Sequence, residues 1–254
     1  MLYNKKKGFG GDIMACIAAF FDIDGTLFRN SLMIEHFKKL IKYEVIDPSV
    51  WHNKVKYVYE EWDKRYGDFE HYLETLAQVY IEELRGVNKS DIDFIASQVI
   101  NVNGDMVYKY SRDRIKYHKD NDHKVFFISG SPDFLVSKMA EKYGATEYRG
   151  TIYLVDENNN FTGEIVKMWD SENKQKSLNE ILNKYNIDLE NSYAYGDTTG
   201  DLSMFNMVGN PIAINPNKEL LISIRENKNL AGKTQIIVER KDVIYKLNSD
   251  VEIL

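Results

Sequence analysis

A chain of 254 residues that is 43% hydrophobic can form one large domain, or a core domain with an insertion, around a sizeable apolar core. Its formal net charge of −6, with no arginine-rich block, argues against a nucleic-acid-binding surface. One cysteine, Cys16, excludes an internal disulfide framework and any CxxC metal site, and fits a reducing, cytoplasmic setting.

At the N-terminus, Lys5-Lys6-Lys7 followed by the apolar Ile13 to Phe21 imitates a signal peptide. The apolar run is short, Asp12 stands just before it, and it leads straight into acidic residues. Residues 1 to 13 therefore read as a flexible tail, with Met14 an alternative start. No run reaches the ~18 apolar residues of a membrane helix, so no membrane is expected as a partner. The stretch from Cys16 to Phe21 has the length and aromatic content of a buried strand, in which Cys16 packs as a small apolar residue. It runs into Asp22-Ile23-Asp24-Gly25-Thr26, two carboxylates one residue apart with a glycine to end the strand. Open α/β sheets place ligands at the C-terminal ends of such strands.

From Leu32 the apolar spacing becomes helical. Leu32, Met33, Phe37, Leu40 and Ile41 form one stripe; Trp51, Val55, Val58 and Trp62 form a second, after Pro48. Phe69, Leu73, Leu76, Tyr80 and Leu84 mark a third helix ending at Gly86. Ser90 is the expected cap of a fourth, with Ile92, Ile95 and Val99 inward, and another helix runs from Arg112 to His118. Residues 31–118 thus read as an all-helical insertion. Strand grammar returns at Val125-Phe126-Phe127-Ile128, a continuous apolar run ending at Ser129-Gly130-Ser131-Pro132, where Ser131 is expected to cap a helix opening on Pro132. A hairpin follows over 149–165, turning at Glu157 to Asn160, and then a helix from about Asn173 to Tyr185. Ser192 to Tyr195 leads as a strand into Gly196-Asp197-Thr198-Thr199-Gly200-Asp201. Pro211 to Ile214 and Gln235 to Val238 complete the predicted strands.

Three strands therefore end in polar loops, at Asp22/Asp24, at Ser129/Gly130 and at Asp197/Asp201. If they are parallel, all three loops share one sheet edge. Carboxylates converging there without partners repel, and a hard cation such as Mg2+ is their natural occupant. With a metal present the edge admits a phosphate, to which Ser129 and a helix N-terminus offer donors, and a lysine completes the charge balance.

The order DxDGT, strand-end Ser, Lys, then GDxxxD over residues 16–218 resembles the haloacid dehalogenase (HAD) superfamily. The likeness is strongest to its phosphoserine-phosphatase-like branch (subfamily IB), through Ile128 to Pro132, Phe161-Thr162-Gly163-Glu164 and Tyr195-Gly196-Asp197. The resemblance implies a three-layer, Rossmann-like parallel α/β core from 14–30 and 119–254 with a helical C1-type cap over 31–118. It also implies a magnesium-dependent phosphomonoesterase acting on a small phosphorylated metabolite through an aspartyl-phosphate. Asp22 would be the nucleophile and Asp24 the acid/base. Asp22, the Asp24 carbonyl and Asp197 would bind Mg2+, supported by Asp201. Thr26, Ser129, Gly130 and Lys174 would contact the phosphate, with Lys176 and Lys167 competing for the lysine role. Asp24 favours phosphatase chemistry, because the superfamily's dehalogenases lack an acid there and its P-type ATPases carry threonine. Thr198 and Gly200 depart from the more usual serine and asparagine without removing a carboxylate.

Phosphoserine phosphatases of the branch have DxDST and a glutamate nine residues after the nucleophile; here those positions are Gly25 and Ser31, with Glu35 one turn further. Arg65, Arg112 and Arg114 are candidate substrate clamps. The five histidines show no metal-ligand spacing and read as surface or cap packing. Phosphotransfer to an acceptor other than water, or a catalytically silent binding protein on the same fold, are the alternative readings.

Overall fold

The computed structural model describes residues 15–253, so the expected tail and Met14 lie outside the described residues. Strand β1 (Ala18–Phe21) is followed by α1 (Leu32–Lys42) and α2 (Pro48–Val50). A π-helical turn at Trp51–Val55 joins α2 to α3 (Lys56–Asp63). Then come α4 (Phe69–Leu84), α5 (Lys89–Asn103) and α6 (Lys109–Asp120). The chain continues through β2 (Lys124–Pro132), α7 (Asp133–Tyr143), β3 (Glu147–Val155), β4 (Phe161–Val166) and α8 (Ser171–Lys184). It ends with β5 (Tyr193–Gly196), α9 (Leu202–Met207), β6 (Asn210–Ile214), α10 (Lys218–Glu226), α11 (Lys228–Ala231), β7 (Gln235–Arg240) and β8 (Val243–Leu247).

The strands make one sheet in the order β4-β3-β2-β1-β5-β6-β7-β8, with only the two edge strands antiparallel to their neighbours. Strand β1 is central: Phe21 lies opposite Phe127 on one side and Tyr195 on the other. Strand alternation divides its side chains between two cores. Phe20 joins Phe126, Ala194, Leu178 and Phe205 on one face, while Phe21 joins Phe127, Tyr195, Ile115 and Leu135 on the other. This is the expected three-layer α/β architecture. It carries the C-terminal ends of β1, β2 and β5 to a single edge.

Several local readings are corrected. Helix α5 is capped by Asn88, whose side chain accepts from Ser90 N at 3.0 Å; the amide reaches the backbone where Ser90 was expected to. Strand β2 runs through Pro132, so Ser131 caps nothing and its hydroxyl bonds Asp24 instead. Cys16 is half-buried two residues before β1, in an isolated bridge with Ile187. Strand β8, unpredicted because all but one of its residues are exposed, follows β7.

The segment between β1 and α6 is helical, and the chain enters and leaves it through a short ladder: Arg29 N to Met106 O at 3.0 Å and Tyr108 N to Leu27 O at 2.9 Å. Its far side is clasped to the β3–β4 hairpin. Gly86 N donates to Phe161 O at 2.8 Å, Phe161 N to Val87 O at 3.0 Å, and Arg85 Nε to Thr162 O at 3.0 Å. Beneath the clasp, Phe161, Phe134 and Tyr153 are fully or almost fully buried, and Tyr153 packs edge-on to Tyr80 of α4. Helix α6, which the sequence reading grouped with the insertion, lies on the sheet. Its His118 ring is edge-on to Phe21 and 2.8 Å from the Tyr195 hydroxyl.

His36 is fully buried between the Tyr80 hydroxyl (2.6 Å) and the Ile92 carbonyl (3.4 Å). Burial pulls its pKa down to about 3, against the opposing pull of the Ile92 carbonyl. A group neutral when folded but with an unfolded pKa of about 6.5 costs stability as pH falls below 6.5, by about 1.4 kcal/mol per unit. His36→Gln should therefore narrow its stability gap to the parent by about that slope between pH 6.5 and 4.5 in urea titrations. A gap independent of pH would show that His36 is not held neutral.

Candidate active site

Helix α8 begins where Asp170 accepts from Asn173 N at 2.8 Å, which sets Lys174 one turn in and facing the sheet. The Lys174 side chain is buried, with Nζ 2.7 Å from Asp22 Oδ1 and 2.6 Å from Asp201 Oδ1. Lys176 points outward to an ion pair with Glu172, and Lys167 lies 5.2 Å over the Trp169 ring. Of the three lysines considered, Lys174 alone sits among the acids.

Asp201 is fully buried and anchors the loop after β5. Its Oδ2 accepts from Asp197 N (3.0 Å) and Thr198 N (3.2 Å), and Thr198 returns the bond in a reciprocal capping box around the 3-10 turn Thr199–Asp201. The threonine at this position therefore does what serine would. Asp197 accepts from the Thr26 hydroxyl at 3.0 Å, which joins the first loop to the third. Gly25 makes that approach possible: at φ +81° and with a built Cβ 2.0 Å from Asp197 Oδ2, no side chain fits there.

Asp24 faces elsewhere. Its Oδ1 accepts from Leu32 N, at the start of α1, at 2.8 Å, and its Oδ2 from the Ser131 hydroxyl, with Ser31 Oγ at 3.5 Å. The loop carrying Ser131 is a bulge in β2: between Ile128 and Pro132 the register to β3 shifts. Thr151 Oγ1 pins it by donating to Gly130 O at 2.7 Å, and Ser131 N donates to the buried Ser129 Oγ at 3.2 Å. Gly130 must stay small because Trp169 Cβ lies 2.7 Å from where its own Cβ would be.

The electrostatics follow from this crowding. Burial, with Asp201 and Asp24 nearby, pushes Asp22 up to about 8 despite Lys174. Burial raises Asp24 to about 6 against the Ser131 and Leu32 donors. Asp197 is raised by burial and by the Asp22 and Asp201 charges. Burial works against the Lys174 ammonium, but Asp201 and Asp22 outweigh it and hold it protonated. Asp22, Asp197 and Asp201 each offer an oxygen, all within 4.8 Å of one another. An all-carboxylate donor set with excess negative charge fits a hard divalent cation. Asp24 directs its carboxyl at Ser131 and α1, away from that cluster.

The other candidates lie apart from these acids or are already engaged. Arg65 is exposed, and Arg112 is exposed beside Asp113. Arg114 donates to the Tyr195 hydroxyl at 3.0 Å and lies over the Tyr117 ring. Glu35 accepts from Asn30 (2.7 Å), Lys38 (2.8 Å) and Asn103 (2.8 Å). His52 and His71 are exposed, whereas His36 and His118 are buried rather than superficial. Sequence reasoning missed Ser131, Thr151 and Trp169. A Ser-Pro pair invited a helix-cap reading, and only the bulge redirects Ser131 to Asp24.

The haloacid dehalogenase-like hydrolase family model matches residues 19–206, and the chain belongs to that family. It is 25% identical over 216 residues to the "Inhibition of morphological differentiation protein" of Streptomyces azureus, covering 84% of this chain and 77% of that one. To the histidinol-phosphatase of Neisseria meningitidis serogroup C it is 24% identical over 210 residues, covering 80% and 91%. Its fold matches phosphoserine phosphatase, solved as a phospho-aspartyl intermediate analogue, with a TM-score of 0.57 and 21% identity over 90% of this chain and 95% of that one. The chain is thus a hydrolase of the HAD-like family with the fold of its phosphoserine-phosphatase-like branch.

If Asp197 helps to hold a cation, adding Mg2+ at a hundredfold excess over its Kd should stabilise the parent by about 2.7 kcal/mol, or roughly 5–10 °C in Tm. Asp197→Asn should abolish that gain. It should also leave the metal-free protein at least as stable as the parent at pH 8, because one repelling carboxylate is gone. An undiminished Mg2+ response in the variant, measured by scanning fluorimetry, would exclude Asp197 as a ligand.

Proposed function

We propose that the chain is a magnesium-dependent phosphoric monoester hydrolase that acts on a small phosphorylated metabolite through an aspartyl-phosphate on Asp22. The observation that carries this reading is the buried Asp22–Lys174–Asp201 triad, with Asp197 alongside, at the strand ends of a HAD-like hydrolase. Phosphatases among its relatives, including the histidinol-phosphatase and the phosphoserine phosphatase fold, support the reaction class.

In this mechanism a carboxylate oxygen of Asp22 attacks phosphorus. The P–O bond to the alcohol breaks, and Asp24 gives its proton to the departing oxygen. A water molecule then loses a proton to Asp24 and attacks the same phosphorus, which frees Asp22 and inorganic phosphate. Lys174 keeps Asp22 oriented and offsets phosphoryl charge; Ser129, Thr26 and the Gly130 backbone line the phosphoryl position. Mg2+, held by Asp22, Asp197 and the Asp24 carbonyl with Asp201 in support, would supply charge compensation for the phosphoryl oxygens. The helices α1 to α5 wall the site and select the substrate.

Glu35 is already engaged and Ser31 stands nine residues after Asp22, so the amine grip of a phosphoserine phosphatase has no counterpart at those positions. The lone free Cys16 suits the cytoplasm. Among the described residues no helix is long and apolar enough to cross a membrane.

Purified protein should hydrolyse p-nitrophenyl phosphate with Mg2+ and lose that activity in EDTA. Asp22→Asn should lower kcat by at least about 10³-fold at unchanged fold, as removal of a covalent nucleophile does. Near-parental turnover in that variant would rule out Asp22 as the nucleophile.

A further inference from the structure

The acid/base role of Asp24 needs its carboxyl to point at the departing oxygen, and Ser131 is the side chain that meets it from the core. Three features show that the contact is built. Ser131 is almost fully buried, at 3% exposure, so its hydroxyl has no bulk water to satisfy it. It sits on the β2 bulge, whose backbone is fixed twice, by Thr151 Oγ1 to Gly130 O and by Ser131 N to Ser129 Oγ. Bulges beside active sites re-aim a side chain in this way. Finally, the two oxygens of Asp24 are held from opposite sides, Oδ1 by the Leu32 N–H of the insertion's first helix and Oδ2 by Ser131 of the core.

The two donors are not equivalent. The Leu32 N–H can only donate, so Oδ1 is the oxygen less suited to carry a proton. The Ser131 hydroxyl donates to Oδ2 of the carboxylate but can turn its hydrogen away when Oδ2 is protonated, so it orients the carboxyl without holding that proton back from the departing oxygen. We propose that Ser131 is a positioning residue that fixes the Asp24 carboxyl so that Oδ2 delivers the proton to the leaving alcohol. This rests on the acid/base reading of Asp24 given above. It gives the core loop, whose Ser129 and Gly130 line the phosphoryl position in that reading, a second function in leaving-group departure.

The test is the dependence of kcat/KM on the leaving group, because that constant reports every step through departure of the alcohol. 2,4-Dinitrophenyl phosphate expels a stable anion and needs no proton; a simple alkyl phosphate cannot leave without one. Ser131→Ala should lower kcat/KM for the alkyl phosphate by about 10–100-fold, within the usual range for a misplaced general acid, and change that for the dinitrophenyl ester by less than about threefold. Ser131→Cys, which keeps a weak donor in the same place, should fall between parent and alanine variant on the alkyl ester. If Ser131→Ala does not fold, the cysteine variant alone carries the comparison. Equal losses on both esters would mean that Ser131 only maintains the loop, and no loss on either would mean that it does nothing for Asp24; both results overturn the proposal. A failure of the phosphatase reading itself is distinguishable, since the parent would then hydrolyse neither ester.

Discussion

Everything at the sheet edge depends on one buried cation–anion arrangement, Lys174 between Asp22 and Asp201. An ammonium and carboxylates withdrawn from water lose several kcal/mol of solvation each, which they recover only through short, well-aligned contacts. The 2.7 Å and 2.6 Å contacts meet that requirement for Lys174 and for one oxygen of each acid. They do not neutralise the cluster: three carboxylates, counting Asp197, face one ammonium and would leave two negative charges if all were ionised. Burial first, and the neighbouring carboxylates after it, raise Asp22 and Asp197, while Asp201 and Asp22 keep the lysine charged. The excess of carboxylates also gives the site a built-in demand for a divalent partner. Asp201 contributes most as an anchor, since its second oxygen is committed to the Asp197 and Thr198 amides.

The fold supplies the rest by geometry. Parallel strands with β1 in the middle put three loops on one edge, and each loop is then tied to another by a side chain. Thr26 reaches Asp197, Ser131 reaches Asp24, and Lys174 from α8 reaches both Asp22 and Asp201. The aromatic stack behind them, Phe21 on Tyr195 at 4.0 Å with nearly parallel rings, joins the two strands that lead into Asp22 and Asp197. Above the edge, the helical segment is held at its linker ladder and at the Gly86–Phe161 clasp, so it bears on both the first loop and the β3–β4 hairpin.

The architecture was readable because its signals are local or periodic. Continuous apolar runs at Phe20 and Phe126, helical stripes from Leu32 onward, and strand ends marked by Gly and Asp are properties of short windows. The acids were readable because their chemistry constrains residue type. Three things escaped. Strand β8 exposes its side chains on both faces, so it carries no alternation to detect. Asn88 and Ser90 are both good caps, and only backbone geometry separates them. Ser131 belongs to a bulge, and a shift in register relative to a neighbouring strand leaves no trace in its own sequence. Arg114 and Glu35, considered as substrate grips from sequence, are both hydrogen-bonded within the protein, a partnership that residue type alone does not reveal.

Gly25 shows how a small sequence difference can be a consequence of the site. The motif DxDGT differs from DxDST by one side chain, which from sequence alone resembles drift. In the structure that position has φ +81°, and the carboxylate of Asp197 fills the space a Cβ would need, 2.0 Å from its Oδ2. A serine there would require the Asp197 carboxylate, which also accepts from Thr26 at 3.0 Å, to shift, and a positive φ that L side chains rarely adopt. The glycine at residue 25 therefore suits the side-chain position that Asp197 takes just after β5. Two motifs 171 residues apart in the chain are joined by the Thr26 hydroxyl on Asp197, and Gly25 leaves room for that contact.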